Sequence, residues 1–226
     1  MAVRVKMVAG TDFHGSRLAF ESFARNVKDR DADVALLCGD ITNFGTVEQA
    51  KILLSMLADV GVPVLFVPGN CDPPSLLDLK VNGLVCIHGS SFIYEGLAFV
   101  GVGGSPTTPF NTPFELSEEE IAETLDRCLK SLHSPGYKPE MVLVSHSPPK
   151  NTMLDRTFSG FHAGSDAVRR FIEEHKPLLA LCGHIHEAGG KERIGRSIVV
   201  NPGPARQGNY AVIVIEEGKV SVELNR

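Results

Sequence analysis

The sequence has no tryptophan, no Cys-x-x-Cys pair and no apolar run long enough to cross a bilayer, so no membrane-spanning segment is expected. Its first residues, MAVRVKMVAG, lead into a strand pattern without a separate apolar signal region. The five cysteines form an odd set in a chain of 226 residues, far longer than most disulfide scaffolds. We therefore expect a cytoplasmic protein with no structural disulfides and no membrane partner.

An excess of positive charge is also absent, because 22 Lys and Arg residues stand against 27 Asp and Glu, for a net charge of −5. This balance provides no global attraction to nucleic acid or to anionic membranes. A nucleic-acid partner is therefore not expected, although a local basic rim around a site would still permit one. Candidates for such a rim, which are alternatively solvated surface charges, are Lys150, Arg156, Lys191, Arg193, Arg196 and Arg206.

The composition supports a folded chain, since 43% of the residues are hydrophobic and 22% are charged. Neither a low-complexity linker nor a change of composition divides it. We therefore predict a single domain over residues 1–226.

Short apolar runs rich in β-branched residues alternate with helical patterns. The runs at 3–9, 34–37, 62–67, 97–102, 141–144 and 178–181 indicate buried strands. Helices are predicted at 17–28, 47–60, 117–132 and 165–175, the third with Ser117 and Glu120 as a capping box. This alternation predicts an α/β fold with a largely parallel sheet. Runs at 196–200, 210–215 and 219–224 resemble antiparallel strands, which implies a second sheet or an antiparallel edge.

Metal-capable side chains follow several of these predicted strands. Ligands bind at the carboxyl ends of strands in open α/β sheets, so these side chains are expected to converge. Alone, each Asp is more typical of a turn or helix cap, and each His of a hydrogen-bonded surface or core residue. Their joint occurrence favours a metal site. The set is Asp12, His14, Asp40, Asn70, His146, His184 and His186.

Two pairs in this set, Asp12-x-His14 and His184-x-His186, would point to one side of an extended backbone. Nitrogen and oxygen ligands without a required cysteine suit Mn²⁺, Fe²⁺, Co²⁺, Ni²⁺ or Zn²⁺. Seven ligands are too many for one tetrahedral ion. Two ions about 3.5–4 Å apart that share a carboxylate fit the number, and this geometry activates water for displacement at phosphorus.

The order D-x-H, G-D, G-N-x-[DE], H, G-H-x-H resembles the calcineurin-like metallophosphoesterases, from Asp12 to the segment Asn201-Pro202-Gly203. The resemblance implies an α/β fold in which two β-sheets pack face to face with helices outside, a four-layer α-β-β-α sandwich. It implies two divalent transition-metal ions, with a water or hydroxide between them as nucleophile. It places Asp12, His14 and His186 on one ion, Asn70, His146 and His184 on the other, and Asp40 on both.

One position departs from the family pattern, because Gly-Asn-Cys-Asp stands where many members have Gly-Asn-His-Asp or Gly-Asn-His-Glu. That histidine is thought to bind phosphate or to protonate the departing alcohol. Cys71 is interpreted as a small space-filling residue, with a weak proton donor or a soft metal ligand as alternatives. Asp72 either caps the helical turn after Pro73 or holds the loop that carries the metal ligand without itself binding the metal.

A second candidate proton donor is His162, in the segment SGFHAGS that ends a long irregular stretch. Long loops in compact domains often cover active sites. The alternative is that His162 caps the helix that begins near Ser165.

These features predict a metal-dependent phosphoesterase that favours phosphodiesters over monoesters. The substrate would be a small phosphoester, for which a nucleotide derivative is one candidate. Alternatives are a broad-specificity phosphatase, a nuclease or an interaction scaffold with little activity, and a homo-oligomer stays open. Scaffolds tend to lose metal ligands, whereas every ligand position is filled in this sequence, which favours catalysis.

Overall fold

Twelve strands in residues 4–132 and 139–225, the part of the chain that the computed structural model describes, form two six-stranded mixed sheets. In the first sheet the spatial order is β12 (Lys219–Asn225), β11 (Tyr210–Glu216), β1 (Arg4–Gly10), β2 (Val34–Cys38), β3 (Val64–Val67) and β4 (Leu84–Cys86). Strands β1 to β4 are parallel, whereas β11 runs antiparallel to β1 and to β12. The predicted antiparallel edge at the C-terminal end is thus confirmed.

In the second sheet the order is β5 (Ser91–Tyr94), β6 (Leu97–Val102), β7 (Glu140–Ser145), β8 (Leu179–Leu181), β10 (Ser197–Asn201) and β9 (Gly190–Ile194). Strands β6, β7, β8 and β10 are parallel, and β5 and β9 are antiparallel edges. The prediction of an antiparallel strand at 196–200 is therefore wrong for its pairing with β8. Strand β9 runs antiparallel to β10, and β10 runs in the same direction as β8.

The four α-helices of the described residues are α1 (Arg17–Asp29), α2 (Val47–Ser55), α3 (Glu118–Ser131) and α4 (Asp166–His175). The capping box of Ser117 and Glu120 is present at the start of α3. Helix α2 ends before its predicted end at residue 60, because Leu57 and Ala58 bond to carbonyls three residues back and Gly61 then adopts a φ of +84°. None of these helices is long and apolar enough to span a bilayer.

Three apolar layers hold the elements together. The middle layer lies between the two sheets and includes Met7, Leu36, Phe99 and Val144. On the outer face of the first sheet α1 and α2 pack through residues such as Phe23. On the outer face of the second sheet α3 and α4 pack in the same way. The predicted four-layer α-β-β-α sandwich is therefore confirmed, while the extent of the domain stays a prediction.

Candidate metal centre

All seven candidate ligands lie in loops that follow strand ends. The loops after β1, β2 and β3 carry Asp12 with His14, then Asp40, then Asn70. The loops after β7 and β8 carry His146, then His184 with His186. Facing sheets therefore contribute to one cluster, and the contacts that follow join its members.

Four of these side chains form a first group. Their candidate ligand atoms, from Asp12, His14, Asp40 and His186, all lie within 4.8 Å of one another. Nε2 of His14 lies 2.9 Å from Nε2 of His186 and 3.5 Å from Oδ2 of Asp40. Nε2 of His186 lies 3.4 Å from Oδ1 of Asp12.

A second group is centred on Asn70. Its Oδ1 atom lies 2.9 Å from Nε2 of His146 and 2.9 Å from Nδ1 of His184. Oδ1 of Asp40 lies 3.5 Å from Nε2 of His146. Asp40 therefore stands between the groups, with one carboxylate oxygen towards each.

The second group fits a cation better than it fits hydrogen bonding. Nδ1 of His146 lies 2.7 Å from the carbonyl oxygen of Cys38, which can only accept, so Nδ1 carries the proton. In the neutral ring, Nε2 then presents a lone pair to Oδ1 of Asn70. Two acceptors this close repel each other unless both bind a cation, and imidazole nitrogen with amide and carboxylate oxygen suits borderline divalent metals.

The electrostatics of the buried groups also favour cation binding. Burial lowers the pKa of His14 to about 4 and that of His184 to about 3, so both rings are neutral ligands at neutral pH. Burial, together with the charges of Asp12 and Asp72, raises the pKa of Asp40 to about 6. Burial would also raise the pKa of Asp12, but a hydrogen bond to His186 and neighbouring histidines lower it to about 2. A divalent cation would relieve the repulsion between these carboxylates.

Backbone conformation distinguishes the ligand loops. Asp12, His14, Asp40 and His184 have φ values of 56°, 45°, 51° and 69°. The expectation of ligand pairs on extended backbone is therefore wrong. Such left-handed conformations cost roughly 1–3 kcal/mol each and persist where surrounding contacts enforce them. Here the N–H of His14 donates to the carbonyl of Asp40 at 2.8 Å, so the loops after β1 and β2 hold each other.

The Asp72 carboxylate hydrogen-bonds to the two loops that carry Asp40 and Asn70. It is fully buried and accepts from the N–H groups of Ile41, Thr42 and Gly69 at 3.0, 2.7 and 2.8 Å. The 3₁₀ turn Pro74–Asp78 has Pro73 at its N-cap and no side-chain cap. The capping alternative for Asp72 is therefore wrong, and its contacts are those of a support for both loops.

Cys71 is buried beside the second group. Its Sγ atom lies 3.8 Å from Nδ2 of Asn70, and its N–H donates to Oδ1 of Asp40 at 2.9 Å. Burial, followed by the charge of Asp40, raises the pKa of the thiol well above its usual value. These contacts suit the space-filling interpretation, which stays a prediction.

His162 lies outside the cluster, in the loop between β7 and α4. Its Nδ1 atom lies 2.7 Å from Oδ1 of the buried Asp155, and 39% of its side chain is exposed. Ser165, not His162, caps α4, because its Oγ accepts from the N–H of Val168. The helix-cap alternative for His162 is therefore wrong. No hydrogen bond joins His162 to any of the seven candidate ligands among the described residues.

Sequence reasoning missed Asp155. Besides His162, its carboxylate accepts from the N–H groups of Asn151, Thr152 and Gly164, so it organises the whole loop. The N–H of Phe158 donates to Glu187, the residue that follows His186. This bond holds the tip of the loop against the ligand loop after β8. No sequence signal marks Asp155, since a lone Asp in a loop is usually a turn residue.

The structure does not bring all six residues of the predicted basic rim to the ligand cluster. Lys150 forms an ion pair with Asp166 at 2.7 Å. Arg196 donates to the carbonyl of Lys176. Lys176 precedes β8, so it lies at the end of the sheet opposite to the ligand loops. Arg206 alone among the six contacts a candidate ligand, with Nη2 at 3.3 Å from Nδ1 of His186.

Comparisons with known proteins show which family and fold this chain resembles. A family model described as metallophosphoesterase, calcineurin superfamily, matches residues 44–224, a range that contains Asn70 and the later ligands but not Asp12, His14 or Asp40. The chain is 40% identical over 208 residues to an uncharacterized protein of Methanocaldococcus jannaschii, covering 90% of each chain.

Two more distant proteins extend the likeness. A protein of Vesicomyosocius okutanii named a probable cyclic nucleotide phosphodiesterase is 28% identical over 181 residues, covering 78% of this chain and 72% of that one. A dimetal phosphatase from Danio rerio has the same fold, with a TM-score of 0.65 at 14% identity over 97% of this chain and 98% of that one.

Proposed function

This chain belongs to the calcineurin superfamily of metallophosphoesterases, and on that premise we propose that it uses two metal ions to hydrolyse phosphodiesters in preference to monoesters. The observation that carries the proposal is the position of Asp40. Its two carboxylate oxygens each lie 3.5 Å from a histidine of a different ligand group. A carboxylate so placed suits two ions that share it.

The proposed ligands follow the two groups. Asp12, His14 and His186 hold one ion, Asn70, His146 and His184 hold the other, and Asp40 serves both. The ions would be Mn²⁺, Fe²⁺, Co²⁺, Ni²⁺ or Zn²⁺. When bound, such ions lower the pKa of water towards neutrality and neutralise charge that develops on phosphoryl oxygens.

The surrounding residues hold these ligands in place. The hydrogen bond from His146 to the carbonyl of Cys38 fixes the ring and directs Nε2 into the site. The Asp72 carboxylate binds the loops of both Asp40 and Asn70. Catalytic geometry then requires little reorganisation when substrate arrives.

The preference for diesters rests on position 71 and on the comparisons. A buried thiol with a raised pKa does not replace the histidine found there in many family members. Substrates are then favoured whose leaving groups depart without strong help or receive a proton from another residue. The relative named a probable cyclic nucleotide phosphodiesterase supports a small nucleotide-derived diester as substrate.

His162 is proposed as the donor of a proton to the leaving oxygen. The Asp155 carboxylate accepts from Nδ1, which leaves Nε2 of this half-exposed ring available to substrate. The bond from Phe158 to Glu187 holds the loop close to the ligand loop after β8.

Hydrolysis of bis(p-nitrophenyl) phosphate and p-nitrophenyl phosphate by metal-free protein reloaded with Mn²⁺, Ni²⁺, Zn²⁺ or Mg²⁺ tests the proposal. We expect a higher kcat/KM for the diester and more activity with transition metals than with Mg²⁺. A higher value for the monoester would make the protein a phosphatase. Turnover of neither substrate with any ion would indicate an interaction scaffold and contradict the proposal.

A further inference from the structure

Arg206 lies beside the first ligand group, although it belongs to none of the family motifs. It sits in the 3₁₀ turn Ala205–Gln207, after β10. The N–H of Ala205 donates to the carbonyl of Thr11 at 2.7 Å, and the N–H of Arg206 lies 3.4 Å from the carbonyl of Asp12. The backbone of this turn is therefore fastened directly to the loop that carries Asp12.

A buried asparagine holds the preceding segment against the other ligand loop. Nδ2 of Asn201 donates to the carbonyl of Ile185, the residue between His184 and His186, at 3.0 Å. Oδ1 of Asn201 accepts from the N–H of Gly203, whose φ is +84°. The turn that carries Arg206 is thus fixed to two of the three loops that form the first ligand group, those after β1 and β8.

The guanidinium of Arg206 has hydrogen-bonding capacity to spare. Its side chain is exposed, and no carboxylate forms an ion pair with it among the described residues. Its side-chain contact in this part of the chain is Nδ1 of His186, at 3.3 Å. A guanidinium has five N–H donors, so most of them face no acceptor in residues 4–132 and 139–225.

The carboxylates of Asp12 and Asp40 offset part of the positive charge in the first ligand group, but a further cation beside a site for two divalent ions still favours an anionic ligand at that edge. Like charges repel, and the interaction is stronger where protein displaces water. Lys150, by contrast, is neutralised by Asp166. An anionic ligand at this edge would balance the charge of Arg206.

We propose that Arg206 binds a non-bridging phosphoryl oxygen of the substrate, at the edge of the site nearest His186. The inference rests on the proposed function and adds a residue that recognises the phosphoryl group. Arginine suits this role because its planar guanidinium can donate two parallel hydrogen bonds to phosphate oxygens.

Arg206→Gln, Arg206→Lys and the control Arg196→Gln test this role in Mn²⁺-loaded protein. We measure KM and kcat for bis(p-nitrophenyl) phosphate, the affinity for inorganic phosphate by calorimetry, the metal content and the Tm. Arg206→Gln should raise KM and weaken phosphate binding by about 10-fold or more, the loss expected for a hydrogen bond to a charged group. Arg206→Lys should lose less, because it keeps the charge. Arg196→Gln should match the wild type, and metal content and Tm should not change.

The inference is overturned if Arg206→Gln keeps KM and phosphate affinity within twofold of the wild type. It is also overturned if this variant loses metal while its remaining loaded fraction binds phosphate normally, since Arg206 would then only position His186. If the wild type hydrolyses no phosphoester, the proposed function fails. Phosphate binding by calorimetry then decides the role of Arg206 alone.

Discussion

The backbone N–H of Cys71 donates to Oδ1 of Asp40, with an N···O distance of 2.9 Å. The same oxygen faces Nε2 of His146 at 3.5 Å. Residue 71 therefore orients the central carboxylate through its backbone N–H, which every residue except proline would preserve. The family histidine can therefore be absent here without loss of this hydrogen bond to Asp40.

Cys71→Ala tests this interpretation. Because the N–H bond to Asp40 is kept, we expect near-normal metal content and near-normal kcat/KM for bis(p-nitrophenyl) phosphate. The buried sulfur is lost, so the free energy of unfolding should fall by about 1 kcal/mol, as for other small deletions in a packed interior. A folded Cys71→Ala protein without metal or without activity would show that the thiol is a ligand or a working acid.

Asp40→Asn should separate stability from function. Loss of the shared charge should weaken binding of both ions and reduce kcat/KM by more than about 100-fold. This loss should exceed that caused by removing a residue that only hydrogen-bonds to a metal ligand. Metal-free Asp40→Asn should instead be more stable than metal-free wild type at pH 7.

The sign of that stability change follows from the raised pKa of Asp40. Burial raises this pKa from 3.8 to about 6, so the folded state binds the proton more tightly than the unfolded state. As the pH falls from 7 towards 4, the metal-free wild type should therefore gain stability relative to the metal-free Asn variant, because the lowered pKa values of His14 and His184 act against stability in both proteins alike. Chemical denaturation of both proteins at pH 7 and pH 5 measures it, and an equal pH response would contradict the account.

His162→Ala should slow alkyl diesters more than aryl diesters. A proton donor matters when the leaving oxygen is basic, and positioned donors contribute roughly 10²–10⁴-fold. The measurement is kcat for methyl p-nitrophenyl phosphate, which has an aryl leaving group, and for dimethyl phosphate, which has an alkyl leaving group. The ratio of the two values in His162→Ala is compared with the ratio in the control His175→Ala. Equal losses on both substrates would assign His162 to the structure of its loop.

Gly183→Ala should disrupt the contact between the loops after β8 and β1. A Cβ atom at this position would collide with Oγ1 of Thr11 and lie 2.8 Å from Oδ2 of Asp12. We expect a loss of roughly 1–3 kcal/mol in the free energy of unfolding, as for other overpacked sites, with weaker metal binding. Gly190→Ala is the control, because its Cβ would meet only Leu154 at 3.4 Å. Equal Tm and metal content in both variants would contradict this prediction.

Local patterns in the sequence predicted much of the fold. The apolar runs located β1, β2, β3, β6, β7 and β8, and Ser117 with Glu120 marked the start of α3. Strand β9 was missed because its residues GKERI are largely polar, as edge strands often are. The end of α2 was missed because three-residue turns replace the helix without a proline to mark them.

The candidate ligands were predicted by residue type and order, and support of the metal loop was one of two alternatives for Asp72, but the partners of the supporting residues were not predicted. Asp72 reaches back 30 residues to Thr42, and Asp155 pairs with His162 inside an irregular loop. Such contacts depend on how the loops pack and leave no periodic trace in the sequence. The positive φ values of Asp12 and His184 have the same origin, because packing rather than residue type imposes them.

The most direct test of the account measures activity as a function of bound metal. Metal-free protein is titrated with Mn²⁺, and the ions bound per chain are counted beside the turnover of bis(p-nitrophenyl) phosphate. Because Asp40 stands between two ligand groups, we predict that turnover rises with the second ion and is greatest at two ions per chain. Full turnover with one ion per chain, or turnover that survives complete removal of metal, would contradict the two-metal assignment.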